Sequence, residues 1–378
     1  MNTGKPKLSF YTNMPTPYQV DFFDALKDLF ELHVIYFTTR ESDRQWNLSV
    51  SGAYKVTVLK NNLVAKLVQK KVSSFHYSYD LTNVIRNDDA NYVIVNGTYW
   101  SPNVLKSISM NRAMKRWVAY WSEPVFPVSS KIKFRLKQFL LQTVLKRTDC
   151  ILAIGTNAEN AFRSYGYTRP IYQVPYNINT ELFKKVNLEQ HRLNDLTEKY
   201  KRRGEYIFLS SGSLIHRKGM DIIIRAFLNL EKALNIKLLI LGDGAEKDNL
   251  VKLSKGDDRI VFIGFQEKEL IPYWFNLADA FVFATRYDGW GLVINEALAA
   301  EKPVISSNAA GAAADQLNAG NAMICESGNV SEFTEAMRRL ATDQQHNRDL
   351  VNKTHNISIK LSSNYNARRV YDICTNPE

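Results

Sequence analysis

Short apolar runs alternate with polar or amphipathic sequence along the whole chain. In the first half the runs are "LSFYTN", "LHVIYF", "YKVTVL", "YVIVNG", "RWVAYW" and "CILAIGT". In the second half they are "YIFLSSGSL", "KLLILGDG", "IVFIGF", "AFVFATR" and "PVISSN". Continuous apolar strands separated by helix-length segments predict parallel sheets with helices on both faces, because neither face of such a sheet meets water. Residues 177–206, between the halves, are polar, charged and poor in β-branched core residues, and the domain junction is expected there. The expected domains are 1–180 and 181–357, with a carboxy-terminal helix over about 358–378 packing back on the first. The fold class expected is α/β, with two Rossmann-like domains facing each other across a cleft. Ligands then bind beyond the carboxyl ends of the strands.

One helical segment, "SSKIKFRLKQFLLQTVLKRTD" at 129–149, is strongly basic. Lys131, Lys133, Arg135, Lys137, Lys146 and Arg147 surround Ile132, Phe134, Leu136, Phe139, Leu140 and Leu141. With Lys66, Lys70 and Lys71 it gives the first half much of its positive charge. Such a helix either lies on an anionic membrane or packs on its own sheet with a solvated basic face.

The chain has 378 residues, too many for one ordinary core and about right for two α/β domains. Hydrophobic residues make up 45% and charged residues 23%, which excludes a disordered chain. A formal net charge of +11 suits nucleic acid, anionic lipid or a phosphorylated substrate as partner. The cysteines Cys150, Cys325 and Cys374 are odd in number and far apart, so they outline neither a disulfide framework nor a metal site. The start, "MNTGKPKLSFYTNMPTP", has no apolar signal segment, and no run approaches the roughly 18 residues of a membrane span. The expected location is cytoplasmic, with peripheral attachment to the inner face of the cell membrane left open.

Candidate chemistry concentrates in the second half. In "SSGSLIHRKGMDIIIRAFLNL" a strand end and a small-residue turn lead into a helix. Gly212 permits the tight turn. Arg217 and Lys218 precede the helix start, where free N–H groups and the macrodipole favour an anion such as a diphosphate. The alternative is a solvated basic pair. In "LGDGAEKDNL" the pair Gly242 and Gly244 lacks the third glycine of a dinucleotide fingerprint, so a structural turn is expected. In "YDGWGLVINEALAAEKPVI" two carboxylates, Asp288 and Glu296, have seven residues between them. Gly289 and Gly291 let a ligand approach the backbone, and Glu296 lies among Leu292, Val293, Ile294, Ala297 and Leu298, where a carboxylate needs a partner. Hydroxyl groups of a sugar and a ribose would suit both acids. Capping by Asp288 and surface exposure of Glu296 are the alternatives.

These residues resemble the E-x7-E signature of family-4 retaining glycosyltransferases of the GT-B architecture, the group 1 glycosyltransferases. The likeness continues in "GSLIHRKGMDIIIRAF", "LLILGDGAEKDNL", "VFIGFQEKELIPYWFNLADAFVFAT" and "KPVISSNAAGAAADQL". It is looser in "NMPTPYQVDFFDAL", "DCILAIGTNAENAFRSYGY" and "YQVPYNINTELF". The resemblance implies that Lys218 and Arg217 hold the donor diphosphate, with Gly212 and Ser213 against the same phosphates. It implies Glu296 on the ribose and Asp288 on the donor sugar. The backbone of Gly289, Trp290 and Gly291, with Leu292, would line that pocket, and Phe265 and Gln266 would lie by the base. Two positions depart from the family pattern: the first acid is Asp288 rather than Glu, and Ser213 stands where many relatives have Arg.

The resemblance makes the first half the acceptor domain. Thr16 and Tyr18, in the first loop, and Glu123, at the end of "VAYWSE", are the acceptor-side candidates; His76 is a weaker one. The function expected is transfer of a hexose-type sugar from a UDP- or GDP-sugar to a glycan or lipid-linked acceptor, with retention, in surface polysaccharide synthesis. The chain has neither a D-x-D motif nor a His/Cys cluster, so no obligatory metal or other cofactor is expected. A nucleotide-sugar epimerase would need acid and base residues around the sugar C2, which the sequence does not display. A basic nucleic-acid-binding protein is the other alternative, but no helix-turn-helix, zinc or aromatic RNA-binding motif supports it, and no nucleic-acid partner is expected.

Overall fold

The computed structural model describes residues 4–39, 53–61, 63–72, 74–125, 130–317 and 320–376; the side chains of Lys66 and Lys70 lie outside the described residues. The chain forms two compact units, Met1–Tyr176 with Ser363–Glu378, and Asn177–Ser362.

The first unit runs β1 (Lys7–Thr12), α1 (Pro17–Leu26), β2 (Glu31–Tyr36), β3 (Lys55–Val58), α2 (Leu63–Lys71), α3 (Leu81–Arg86), β4 (Tyr92–Asn96) and α4 (Pro102–Ala113). It continues with β5 (Trp117–Ser122), α5 (Lys131–Leu140), α6 (Gln142–Arg147), β6 (Cys150–Ala153), α7 (Thr156–Ser164) and β7 (Ile171–Gln173). The strands form one sheet in the order β3-β2-β1-β4-β5-β6-β7, every pairing parallel. Proline opens α1 and α4, where its fixed φ fits the first turn and no N–H is wanted.

The second unit runs α8 (Gln190–Tyr200), β8 (Tyr206–Ser211), α9 (Met220–Leu228), β9 (Ile236–Leu241), α10 (Lys247–Leu253), β10 (Ile260–Gly264) and α11 (Ile271–Leu277). Then follow β11 (Ala280–Phe283), α12 (Leu292–Ala299), β12 (Val304–Ser307), α13 (Gly311–Gln316), β13 (Ala322–Cys325), α14 (Val330–Thr342) and α15 (Gln344–Ser358). Its parallel sheet has the order β10-β9-β8-β11-β12-β13. The last helix, α16 (Ser363–Thr375), belongs to the first unit; it buries Ala367, Val370, Ile373 and Cys374, and Tyr371 meets Phe30 with ring centroids 5.4 Å apart.

Two strands were not among the apolar runs of the sequence. β7 ("IYQ") and β13 ("AMIC") are edge strands of three and four residues, and partly exposed side chains break the apolar run that marks the inner strands. The basic segment at 129–149 is not one helix but α5 and α6, separated at Leu141.

Both sheets change direction between two adjacent strands, β1/β4 in the first unit and β8/β11 in the second. At such a switch point the outgoing loops diverge and leave a crevice. In the second unit the loops there press backbone on backbone. A Cβ on Gly219 would stand 1.9 Å from the Ala284 carbonyl oxygen, one on Gly242 2.0 Å from that of Gly212, and one on Gly311 2.1 Å from that of Gly289. Gly242 and Gly244 therefore seat the β9 loop on the β8 loop, the structural role expected of them.

Gly219 and Gly256 offer a controlled comparison, with φ of +68° and +69°, but nothing lies within 4 Å of a Cβ at Gly256. Gly256→Ala is expected to cost the left-handed penalty alone, about 1–2 kcal/mol. Gly219→Ala adds the clash with Ala284 and is expected to cost more. Equal losses in denaturant unfolding would show that the loop contact does not constrain the fold.

Candidate active site

The loop after β8 holds a single 3-10 turn, His216–Lys218, closed by Gly219 in the left-handed conformation. The loop after β11 carries Asp288. At the β8/β11 switch point these loops meet, and Lys218 Nζ donates to Asp288 Oδ2 at 2.5 Å, while Arg217 Nη1 stands 3.5 Å from the same oxygen. The side chains of Lys218 and Asp288 are only 15% and 14% exposed. The Lys218 ammonium also lies 5.4 Å from the centroid of the Phe283 ring. The cation is thus held between a carboxylate and an aromatic face, out of bulk water.

A second ion pair clamps the two loops. Arg286 forks onto Asp221 at 2.8 and 2.7 Å and also donates to the His216 carbonyl at 2.7 Å. Burial works against the Asp221 charge, but the Arg286 contact outweighs it, so the carboxyl lies below its ordinary range. Arg217 Nη1 donates to the Tyr287 carbonyl at 2.7 Å, and Thr285 Oγ1 to the Arg217 carbonyl at 3.0 Å. Asp221 and Arg286 were not among the candidates legible in the sequence. Their only sequence signal was an acid in the first turn of a helix and a base just beyond a strand.

The segment from Gly289 to Leu292 is closely packed. Gly289, Trp290 and Gly291 are buried. The Trp290 N–H already donates to Asp288 Oδ1 at 3.3 Å, and its indole N–H donates to Asn295 at 3.2 Å inside the unit. Asp288 and Trp290 accept from Gly311 and Ala312, which stitches the loop to the start of α13. The Trp290 side chain is therefore packed inside the unit. Leu292 begins α12, whose first N–H groups have no intrahelical acceptor. Gly212 and Ser213 lie at the start of the β8 loop, Ser213 exposed.

Glu296 sits in the second turn of α12, half-buried. Desolvation pushes its carboxyl up to about 7, against the pull of Lys268. Phe265 is exposed just beyond β10, and the Gln266 side chain is anchored between the Phe265 carbonyl and the Trp274 indole, both at 2.9 Å.

In the first unit the structure joins Tyr18 and Glu123 through a residue not assigned from sequence, Tyr176. The Tyr18 and Tyr176 rings have centroids 4.8 Å apart, and Tyr176 lies edge-on to Trp121 at 5.3 Å. Burial, then the Glu123 carboxylate and Tyr18, hold the Tyr176 hydroxyl protonated well above its ordinary range. Thr16 does not join them. Its side chain is buried and its hydroxyl donates to Gln19 Oε1 at 3.1 Å, so the expected reach toward a ligand is replaced by loop packing. His76 is buried against Phe37. Among the described residues no group of three or more His, Cys, Asp or Glu side chains is placed to hold a metal ion, and no helix is long and apolar enough to cross a membrane.

Residues 194–356, which contain the β8 and β11 loops and Glu296, match the family described as glycosyl transferases group 1. That segment, 163 of the 378 residues, is similar to the group 1 glycosyltransferases. The lipopolysaccharide core biosynthesis glycosyltransferase LpsE of Rhizobium meliloti (strain 1021) is 28% identical over 213 residues, 56% of this chain and 59% of LpsE. The capsular polysaccharide biosynthesis glycosyltransferase CapM of Staphylococcus aureus is 29% identical over 170 residues, 43% of each chain. The chain thus spans about half the length of the curated relatives it matches. The crystal structure of Anabaena HepE in complex with UDP superposes with a TM-score of 0.77 at 15% identity, covering 97% of this chain and 98% of HepE. The fold is accordingly that of the GT-B glycosyltransferases, carried by two parallel Rossmann-like sheets.

The raised pKa of Glu296 sets a direction for stability. The folded value of about 7 lies above the ordinary 4.5. The folded state therefore binds more protons than the unfolded chain across that window, and stability falls as pH rises through it. Glu296→Gln removes the ionisation. Its melting temperature is expected to exceed that of the wild type at about pH 8.5 and to match it at about pH 4. A difference independent of pH would show that Glu296 is not desolvated.

Proposed function

We propose that the protein is a retaining group 1 glycosyltransferase that moves a hexose-type sugar from a nucleotide-sugar donor to a hydroxyl of a glycan or lipid-linked acceptor in surface polysaccharide synthesis. The observation that carries the reading is the pair of cations, Lys218 and Arg217, converging on Asp288 at the switch point of the second sheet. The cations suit the leaving diphosphate. Asp288 suits the sugar hydroxyls, and Glu296 suits the ribose. UDP is the favoured donor nucleotide because HepE has been crystallised with UDP. The LpsE and CapM names support the polysaccharide setting.

In this reading Lys218 exchanges its contact with Asp288 for the diphosphate as the donor enters, and Asp288 is released to the sugar. The negative charge that develops on the departing phosphate is met by Lys218, Arg217 and the open N–H groups at the start of α12, a preorganised electrostatic site. Attack from the face that the leaving group vacates retains configuration. Glu123, Tyr18 and Tyr176 serve the acceptor in the first unit. The cationic side chains supply the charge compensation, so no obligatory metal enters the reading.

Two variants separate the roles. Lys218→Ala is expected to weaken UDP binding by about 10- to 100-fold in calorimetry, since a charge-assisted phosphate contact is lost. Asp288→Asn is expected to leave UDP affinity equal or higher, because it frees Lys218, while sugar transfer falls. Unchanged UDP affinity in Lys218→Ala would remove the diphosphate assignment. Transfer is also expected to persist in EDTA; loss restored by Mg²⁺ or Mn²⁺ would point to a metal requirement.

A further inference from the structure

α5 is an amphipathic helix mounted with its apolar side outward. Ile132, Leu136 and Phe139 follow one another at i, i+4 and i+7 and are 81%, 59% and 73% exposed. No residue of α5 is buried. The opposite side holds the helix on the unit. Phe134 stacks on Tyr165 with centroids 4.7 Å apart, and Gln138 donates to the Tyr165 carbonyl at 3.1 Å. The Lys137 ammonium lies over the Tyr99 and Tyr165 rings at 5.8 and 6.0 Å, so this lysine is turned toward the protein. A surface helix of a soluble domain is ordinarily mounted the other way round, with its apolar stripe against the core.

The charge around the stripe has one sign. Lys131, Lys133 and Arg135 are exposed on α5, as are Lys146 and Arg147 on α6, and no Asp or Glu occurs from Ser130 to Thr148. A second copy of this chain seated face to face on the stripe would oppose like charges. A bilayer with anionic headgroups complements both features, apolar beneath and negative above. We propose that α5 docks the protein on an anionic lipid bilayer. Ile132, Leu136 and Phe139 enter the boundary between headgroups and acyl chains, and Lys133, Arg135 and the neighbouring cations meet the phosphates. Membrane docking goes beyond the transferase reading and does not rest on it.

The test is co-sedimentation of the full chain with vesicles of mixed phosphatidylglycerol and phosphatidylcholine, against phosphatidylcholine alone. Binding is expected on the anionic vesicles only. It is expected to fall when salt rises from about 0.1 M to 1 M and the screening length shrinks from about 10 Å to 3 Å. Neutralising Lys133→Gln with Arg135→Gln is expected to lower partitioning about 25-fold, roughly fivefold for each charge. Leu136→Gln with Phe139→Gln is expected to abolish binding at every salt concentration. Both double variants should bind UDP as the wild type does, which separates loss of docking from misfolding. Equal binding to both vesicle types, no binding to either, or variants that partition like the wild type would overturn the proposal. So would a concentration-dependent dimer, abolished by Leu136→Gln with Phe139→Gln, in a protein that ignores vesicles.

Discussion

The second unit depends on the near contact of bare backbones at the carboxyl ends of its strands. Gly219 lies under the Ala284 carbonyl, Gly242 under that of Gly212, and Gly311 under that of Gly289, each at a distance that no Cβ would tolerate. These contacts bring the β8, β9, β11 and β12 loops into one cluster. Without them, the turn that carries Arg217 and Lys218 would stand off from the loop that carries Asp288. The Arg286 fork onto Asp221 then locks a geometry that the glycines make possible.

On that frame the charges are arranged at a cost. Lys218 and Asp288 are largely withdrawn from water and satisfy each other, with Arg217 at the margin. Glu296 is not so well compensated, and desolvation lifts its carboxyl toward neutrality. In the proposed reading, such an arrangement sacrifices some stability to hold groups in position for a polar ligand. The ligand would complete contacts that the protein leaves partly made.

The first unit uses different means. Its switch-point region is aromatic, with Tyr18, Tyr176 and Trp121 packed together and the Glu123 carboxylate beside the Tyr176 hydroxyl. Its surface carries the outward stripe of α5. There Phe134, Lys137 and Gln138 hold the helix, so the residues that would normally form a core contact face away.

The sequence by itself determined the parallel α/β class and the inner strands, because a strand buried on both faces must be apolar along its whole length. It also marked Lys218, Asp288 and Glu296, since cations beside a glycine turn and carboxylates in apolar surroundings are conspicuous in one dimension. The edge strands β7 and β13 were hidden because they are short and half exposed. Tertiary structure alone decided that Lys218 and Asp288 touch, 70 residues apart in sequence. It alone joined Tyr176 to Glu123, turned Thr16 inward and buried Trp290. It alone mounted α5 with its apolar side outward, because helical periodicity defines a face but not what that face meets. Which groups meet is settled by how loops from distant strands pack, and that packing leaves no local mark in the chain.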